Sequence, residues 1–283
     1  MFLQQRTISF FFALLPDMKL QNEHIRIEVS THGGELISLQ NATSGEELLW
    51  CGDKTFWGRH APILFPIVGK VANGHYRVEG QDFALGQHGF ARDNDFSVIE
   101  SNESHILLVL RSNNETLKHF PWAFELTAEY RLEASKARIL WKVQNNDSTL
   151  MYFQIGAHPA FYLRDYSPSD PVHGYVIFHN ELLELNNHTF DNDALIIEDS
   201  SIAQMTLTDK DKRPYLRVTS PQSEVWGIWA PSKEGCPFVC LEPWCGRKDK
   251  DDFCDDVSQR EYIHTLAPGE VFTFEYDIEL LKH

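Results

Sequence analysis

The sequence predicts an all-β protein, a large antiparallel β-sandwich or barrel, on three observations. Apolar and polar residues alternate with a period of two in run after run. Gly, Asn and Pro clusters separate these runs at short intervals. Few windows of ten or more residues place apolar positions at helical spacing. Many short strands joined by such turns bury their apolar faces by pairing two sheets or by closing one. An aromatic share of 12%, with 19 Phe, suits pleated surfaces better than helices.

Along the chain, Ile25-Arg26-Ile27-Glu28-Val29 alternates strictly. His75-Tyr76-Arg77-Val78-Glu79 leads through Gly80-Gln81-Asp82 into Phe83-Ala84-Leu85 and reads as a hairpin. Ile106 to Leu110 is an apolar run that Asn113-Asn114 ends. Ala123 to Leu132 forms a long alternating strand, answered across Glu133-Ala134-Ser135-Lys136 by Ala137 to Val143. Asn145-Asn146-Asp147 closes that strand, and Leu150 to Ile155 begins another. Later strands are expected at Tyr215–Val218, Val225–Trp229, Phe238–Leu241, Tyr262–Leu266 and Val271–Ile278. Short helical turns are expected at Glu115–His119 and Asp251–Val257 only. No linker, low-complexity stretch or fixed repeat divides residues 18–283, which read as one domain.

Residues 1–17 stand apart. Ile8 to Leu15 has the length of a signal h-region but lacks a small-x-small cleavage site, and Met18-Lys19-Leu20 reads like a second start. The expectation is an upstream extension, and a cytoplasmic protein. Eight apolar residues are too few to span a membrane. A net charge of −16 repels phosphate backbones and anionic lipid, which argues against nucleic acid and membrane surfaces as partners and for a small molecule. Nothing marks an oligomer interface. Five cysteines, Cys51, Cys236, Cys240, Cys245 and Cys254, form no C-x-x-C pair, so reduced thiols are expected, with no metal and no cofactor. The acidic run Asp249–Asp256 lacks the glycine and the final glutamate of a calcium loop and reads as a solvated loop.

Four segments carry candidate chemistry. Ile155-Gly156-Ala157-His158-Pro159-Ala160-Phe161 and Phe238-Val239-Cys240-Leu241-Glu242-Pro243-Trp244 are apolar, strand-like runs, each interrupted by one ionisable residue before a proline. Burial is costly for both charges, so a His and a Glu placed there invite a functional explanation. On neighbouring strands both side chains would point into one cleft. Gly86-Gln87-His88-Gly89-Phe90-Ala91-Arg92 sets hydrogen-bonding side chains among glycines that allow close backbone approach. Gly58 to Lys70, with Pro62 and Pro66, is poor sheet material and reads as a shaped loop or an edge that places Arg59, His60 or Lys70. Each segment alone is equally readable as core or surface. The serines lack a Gly-x-Ser-x-Gly elbow, and no phosphate-binding glycine loop occurs. What remains is proton transfer by a His and a Glu.

Gln87-His88-Gly89-Phe90, Gly156-Ala157-His158-Pro159-Ala160-Phe161 and Glu242-Pro243-Trp244, in this order, resemble the motifs of the aldose 1-epimerase (galactose mutarotase) superfamily. Ala61-Pro62-Ile63-Leu64-Phe65-Pro66-Ile67-Val68-Gly69 brings the LacX-like branch nearest. The likeness runs from about Leu20 to the C-terminus and implies a β-supersandwich that interconverts the anomers of a free aldose. It implies Glu242 as the general base at the O1 hydroxyl and His158 as the general acid at the ring oxygen, facing each other across a sugar-sized gap, with His88 and Gln87 at the sugar. The Gln-His-Gly-Phe-Ala-Arg form is nearer the hexose-6-phosphate epimerase branch, in which an arginine at the position of Arg92 contacts phosphate. Arg59 lies one residue out of register with another. Asp193 is the expected hydroxyl-binding aspartate, with Asp191 close behind. Phe161, Trp229 and Trp244 offer themselves as the floor under a sugar ring, or as core.

Overall fold

A computed structural model describes residues 18–281, so the expectation for residues 1–17 lies outside the described residues. The expected all-β architecture is present, with two large antiparallel sheets carrying most of the strands. The larger has nine strands, ordered Glu181–Leu185, Gly174–Phe178, Gln204–Thr208, Pro214–Thr219, Val271–Leu280, Lys136–Asn145, Phe124–Glu133, His105–Arg111 and Ser97–Ser101. Its central strands alternate as their sequence does: Ala137, Ile139, Trp141 and Val143 are buried. The second sheet runs Leu195–Ile197, Val225–Trp229, Phe238–Cys245, Ile155–Ala157 and Ile63–Leu64, with Ala160–Tyr162 also paired to Phe238–Cys245. Leu241, Ile228 and Phe161 share one core with Trp141, Phe274 and Tyr276 of the larger sheet.

Most expected strands are observed, including the hairpin His75–Val78 with Gln81–Ala84. The expected helical turn near Glu115 is a 3-10 turn at Thr116–Lys118. The one expected at Asp251–Val257 forms later, at Val257–Gln259, where the Asp256 carboxylate caps the Ser258 N–H. Asp249, read as part of a solvated loop, is instead buried against Arg260. The stretch from Gly58 to Lys70 is an edge, as expected: only Ile63–Leu64 is strand, paired on one side to Ile155–Ala157.

One strand positions the site. Every residue of Phe238–Cys245 is buried, so the strand is covered on both faces. Side chains alternate across a strand. Val239, Leu241 and Cys245 enter the main core. Phe238 and Cys240 face the other way, against Trp50 and Ala160, and Trp244 packs there on Leu64, Val68 and Val225. Glu242 lies on this second face by the same alternation.

Candidate active site

The ladder beside Glu242 is interrupted, and the interruption makes the site. Gly156 pairs with Trp244 and Ala160 pairs with Cys240, which sets His158 directly opposite Glu242. Between these two pairs, Leu241 N–H reaches Pro159 O, and Pro243 has no N–H to offer. On the opposite flank Gly227 pairs with Glu242. A Cβ at Gly227 would come within 2.7 Å of the Trp244 ring and 3.3 Å of Glu242 Cβ, so this position has room for glycine alone.

His158 Nε2 lies 3.1 Å from Glu242 Oε2, with side chains 8% and 1% exposed. The expected sugar-sized gap between them is absent: imidazole and carboxylate are in contact. Glu242 Oε2 and His158 Nδ1 are buried and make no hydrogen bond. Burial drives His158 down to about 3, with Arg92 and Arg59 adding to the fall. Burial raises Glu242 well above the carboxylate range, and Asp193 pushes the same way against the Trp244 ring N–H. The usual order, an imidazole above a carboxyl, is therefore inverted. Burial thus disfavours the charged form of both side chains. Trp57 stacks on the imidazole at 4.8 Å and Trp229 meets it edge-on at 5.7 Å.

A cavity of about 450 Å³ opens over this pair, within the range of small-molecule sites. All seven expected residues line it: His158, Glu242, His88, Gln87, Arg92, Arg59 and Asp193. Gly69 N–H donates to His88 Nδ1, and the Gln87 side-chain amide nitrogen lies 3.1 Å from His88 Nε2. Burial holds His88 well below the usual imidazole value, helped by His158, Arg92, Arg59 and Lys70. Gly89, at φ +70°, brings the backbone so close that a Cβ would sit 2.2 Å from Phe65 O. Arg92 donates to Gln87 O at 2.6 Å, and its Nε is buried without a hydrogen bond. Arg59 pairs with Asp93 at 2.7 Å.

Trp229 and Trp244 line the cavity as expected. Phe161 does not; it is fully buried in the main core. Asp191 pairs with His188 and accepts from Ser232 away from the cavity, which leaves Asp193 as the lining aspartate. His60 sits beside Glu35 instead. Trp57, Arg247 and Lys248 were not anticipated. With Lys70 they bring the lining cations to five, inside a chain of net charge −16.

Among the described residues, two groups of side chains have the residue types of a metal site, each with its ligand atoms within 4.8 Å. His158, Cys240 and Glu242 form the first, with the fully buried Cys240 thiol raised by burial and by Glu242. Glu224, Cys245 and His264 form the second; there His264 bonds Glu224 at 2.9 Å and Cys245 donates to Gln222 O, so each is already partnered.

The comparisons with known proteins agree with this geometry. The aldose 1-epimerase family profile matches residues 16–279. The chromosomal protein LacX of Lactococcus lactis subsp. lactis is 29% identical over 94% of this chain and 99% of its own. A galactose mutarotase related enzyme from Lactobacillus acidophilus superposes with a TM-score of 0.89 at 29% identity, over 94% of this chain and 98% of its own. A galactose mutarotase-like protein from Lactobacillus casei gives 0.89 at 28%, over 94% and 100%. With its motifs folded into one cavity in a β-sandwich of this kind, the chain belongs to the aldose 1-epimerase family and resembles its LacX-like branch.

Proposed function

We propose that the protein is an aldose 1-epimerase, an isomerase that exchanges the α and β anomers of a free sugar by opening and closing its ring. The observation that carries this reading is the buried contact between His158 Nε2 and Glu242 Oε2 at 3.1 Å under the cavity. In a hemiacetal, O1 and the ring oxygen sit on the same carbon. A base for one and an acid for the other must then be close neighbours, and a contact pair meets that need better than a wide gap.

Ring opening needs a carboxylate and an imidazolium, which together hold the same single proton as a carboxylic acid beside a neutral imidazole. Sugar hydroxyls restore polar partners to the two unpaired atoms, and the Trp57 face favours imidazolium. Glu242 takes the O1 proton as C1=O forms, the C1–O5 bond breaks, and O5 takes the His158 proton. After rotation about C1–C2 the steps reverse on the other face of the carbonyl. His88, Gln87 and Asp193 surround the cavity with groups suited to hydroxyls.

NMR exchange rates between anomers of a panel of free aldoses test this. Glu242→Gln should lower the catalysed rate by at least the roughly 10²–10⁴-fold typical of a general acid or base, with sugar binding kept. A variant that exchanges anomers at the parent rate ends the reading. Binding without acceleration in the parent identifies a sugar-binding protein.

The lining cations favour a second reading, in which the sugar is a phosphate ester. Arg92, with an unsatisfied buried Nε, is placed for a charge-assisted contact. Arg92→Ala should then weaken turnover of glucose 6-phosphate and spare glucose; equal effects on both exclude this role.

A further inference from the structure

Two pocket walls are irregular backbone. Neither residues 66–71 nor residues 246–250 belong to a strand, yet Gly69, Lys70, Arg247 and Lys248 all line the cavity. Without ladder hydrogen bonds, something else must fix these walls.

That something is a buried ion pair behind them. Arg260 Nη1 lies 2.9 Å from Asp249 Oδ1, with the two side chains 2% and 3% exposed. Arg260 Nη2 donates to Val68 O at 3.3 Å and to Arg247 O at 3.1 Å, one carbonyl from each wall. Asp249 completes the clamp. Its N–H donates to Lys70 O at 3.0 Å, and its Oδ2 accepts from Ala72 N–H at 2.9 Å. The walls touch: a Cβ at Gly69 would lie 2.5 Å from Lys248 Cβ. The front of the same turn meets the sugar side of the cavity, since Gly69 N–H donates to His88 Nδ1 and His88 N–H donates to Gly69 O.

We propose that Arg260 and Asp249 are positioning residues, a buried clamp that sets Lys70, Lys248 and His88 in register around the bound sugar while leaving the His158–Glu242 pair untouched. A lysine could not do this work: only a planar fork reaches a carboxylate and two carbonyls at once. Stability is a poor alternative explanation. Burial outweighs attraction at both ends, drawing Arg260 down to about 10 and raising Asp249, and buried pairs of this kind are weak stabilisers. The kinetic part of this inference rests on the proposed epimerase reading; the structural part does not.

The decisive variant is Arg260→Lys, which keeps the charge beside Asp249 and removes the fork. KM for the sugar should rise between about 10- and 10²-fold, as for other small misplacements of binding groups, with kcat within about twofold of the parent. Hydrogen exchange at the Gly69 and Asp249 amides should accelerate while amides of Lys136–Asn145 keep their protection. Asp249→Asn keeps an acceptor for Ala72 N–H, removes the charge, and should act in the same direction. Parent-like KM with unchanged Gly69 exchange overturns the proposal. So does a uniform rise in exchange across the molecule, which marks a merely stabilising pair. If the parent shows no anomer exchange, the epimerase reading falls alone. The clamp is then judged by the amide exchange and by the Kd of glucose in a binding titration, which Arg260→Lys should raise by the same factor.

Discussion

His158 and Glu242 are more informative together than apart. A lone buried imidazole at about 3 would be inert at neutral pH, and a lone raised carboxyl would be a mere acid. They lie in contact, and in the proposed epimerase the active form is the pair that carries a single proton between its two members, wherever it sits. Rate is lost in acid only when a second proton enters, and it must enter at His158. The acid limb of kcat/KM should therefore lie toward pH 3, far below the ordinary imidazole value of 6.5. The alkaline limb follows removal of the last proton from a site whose carboxyl is raised. Anomer exchange followed by NMR from pH 4 to 9 checks this; a fall centred near pH 6.5 would show that His158 titrates as an exposed imidazole.

At the scale of the element, the strand Phe238–Cys245 holds the Trp244 ring, two residues beyond Glu242, between two glycine positions on its flanks. Gly227 and Gly156 both press on the Trp244 ring, which a Cβ would meet at 2.7 Å and 2.5 Å respectively. Gly227→Ala should displace Trp244 or bend the strand. Overpacking of this kind costs about 1–3 kcal/mol, read by urea denaturation. The rate should fall by up to roughly 10²-fold, because Glu242 moves with its strand. A parent-like rate in a stable Gly227→Ala protein would show that the strand has slack. The sequence disclosed this strand, its neighbour and the role of the two prolines because period-two alternation and X-Pro breaks are local signals. It hid the hairpin Gly174–Phe178 with Glu181–Leu185 for an equally local reason. The turn there places His179, not glycine, at φ +49°, and adjacent Leu182-Leu183 spoils the alternation. Trp57, Arg247 and Lys248 stayed hidden because loop residues follow no period. What brings them to the cavity is a set of side-chain contacts that no periodic pattern announces: the Trp50 ring N–H bonded to Trp57 O, Glu198 paired to Arg247, and the Arg260–Asp249 pair.

Across the whole molecule, buried titratable groups tie stability to pH. His158 and His88 have folded values below the 6.5 of the unfolded chain. Below pH 6.5 the unfolded chain therefore binds protons that the folded chain refuses, and stability falls as pH falls. Glu242, raised on folding, has the opposite sign: above pH 4.5 the folded state holds a proton that the unfolded state releases, so stability falls as pH climbs. Two imidazoles outweigh one carboxyl between these limits. His88→Asn should remove one proton from the balance. Between pH 6.5 and 5.5 it should lose about 1 kcal/mol less than the parent, by denaturation at each pH. Equal losses would show that His88 is protonated in the folded protein. The fold class was legible because alternation and turns recur over the entire chain. Pocket volume, contact distance and the inversion of the pair were not, because they arise from the register of strands far apart in sequence.

The register that sets His158 across from Glu242 has a last outcome. With one proton between an imidazole and a carboxylate, the two together are neutral whichever of them carries it. Opening and closing an uncharged sugar ring then shuttles hydrogen without any net charge appearing or vanishing in the dry interior. The surrounding walls, Trp229 and Trp244 among them, then need no water to absorb such a change in the proposed reaction.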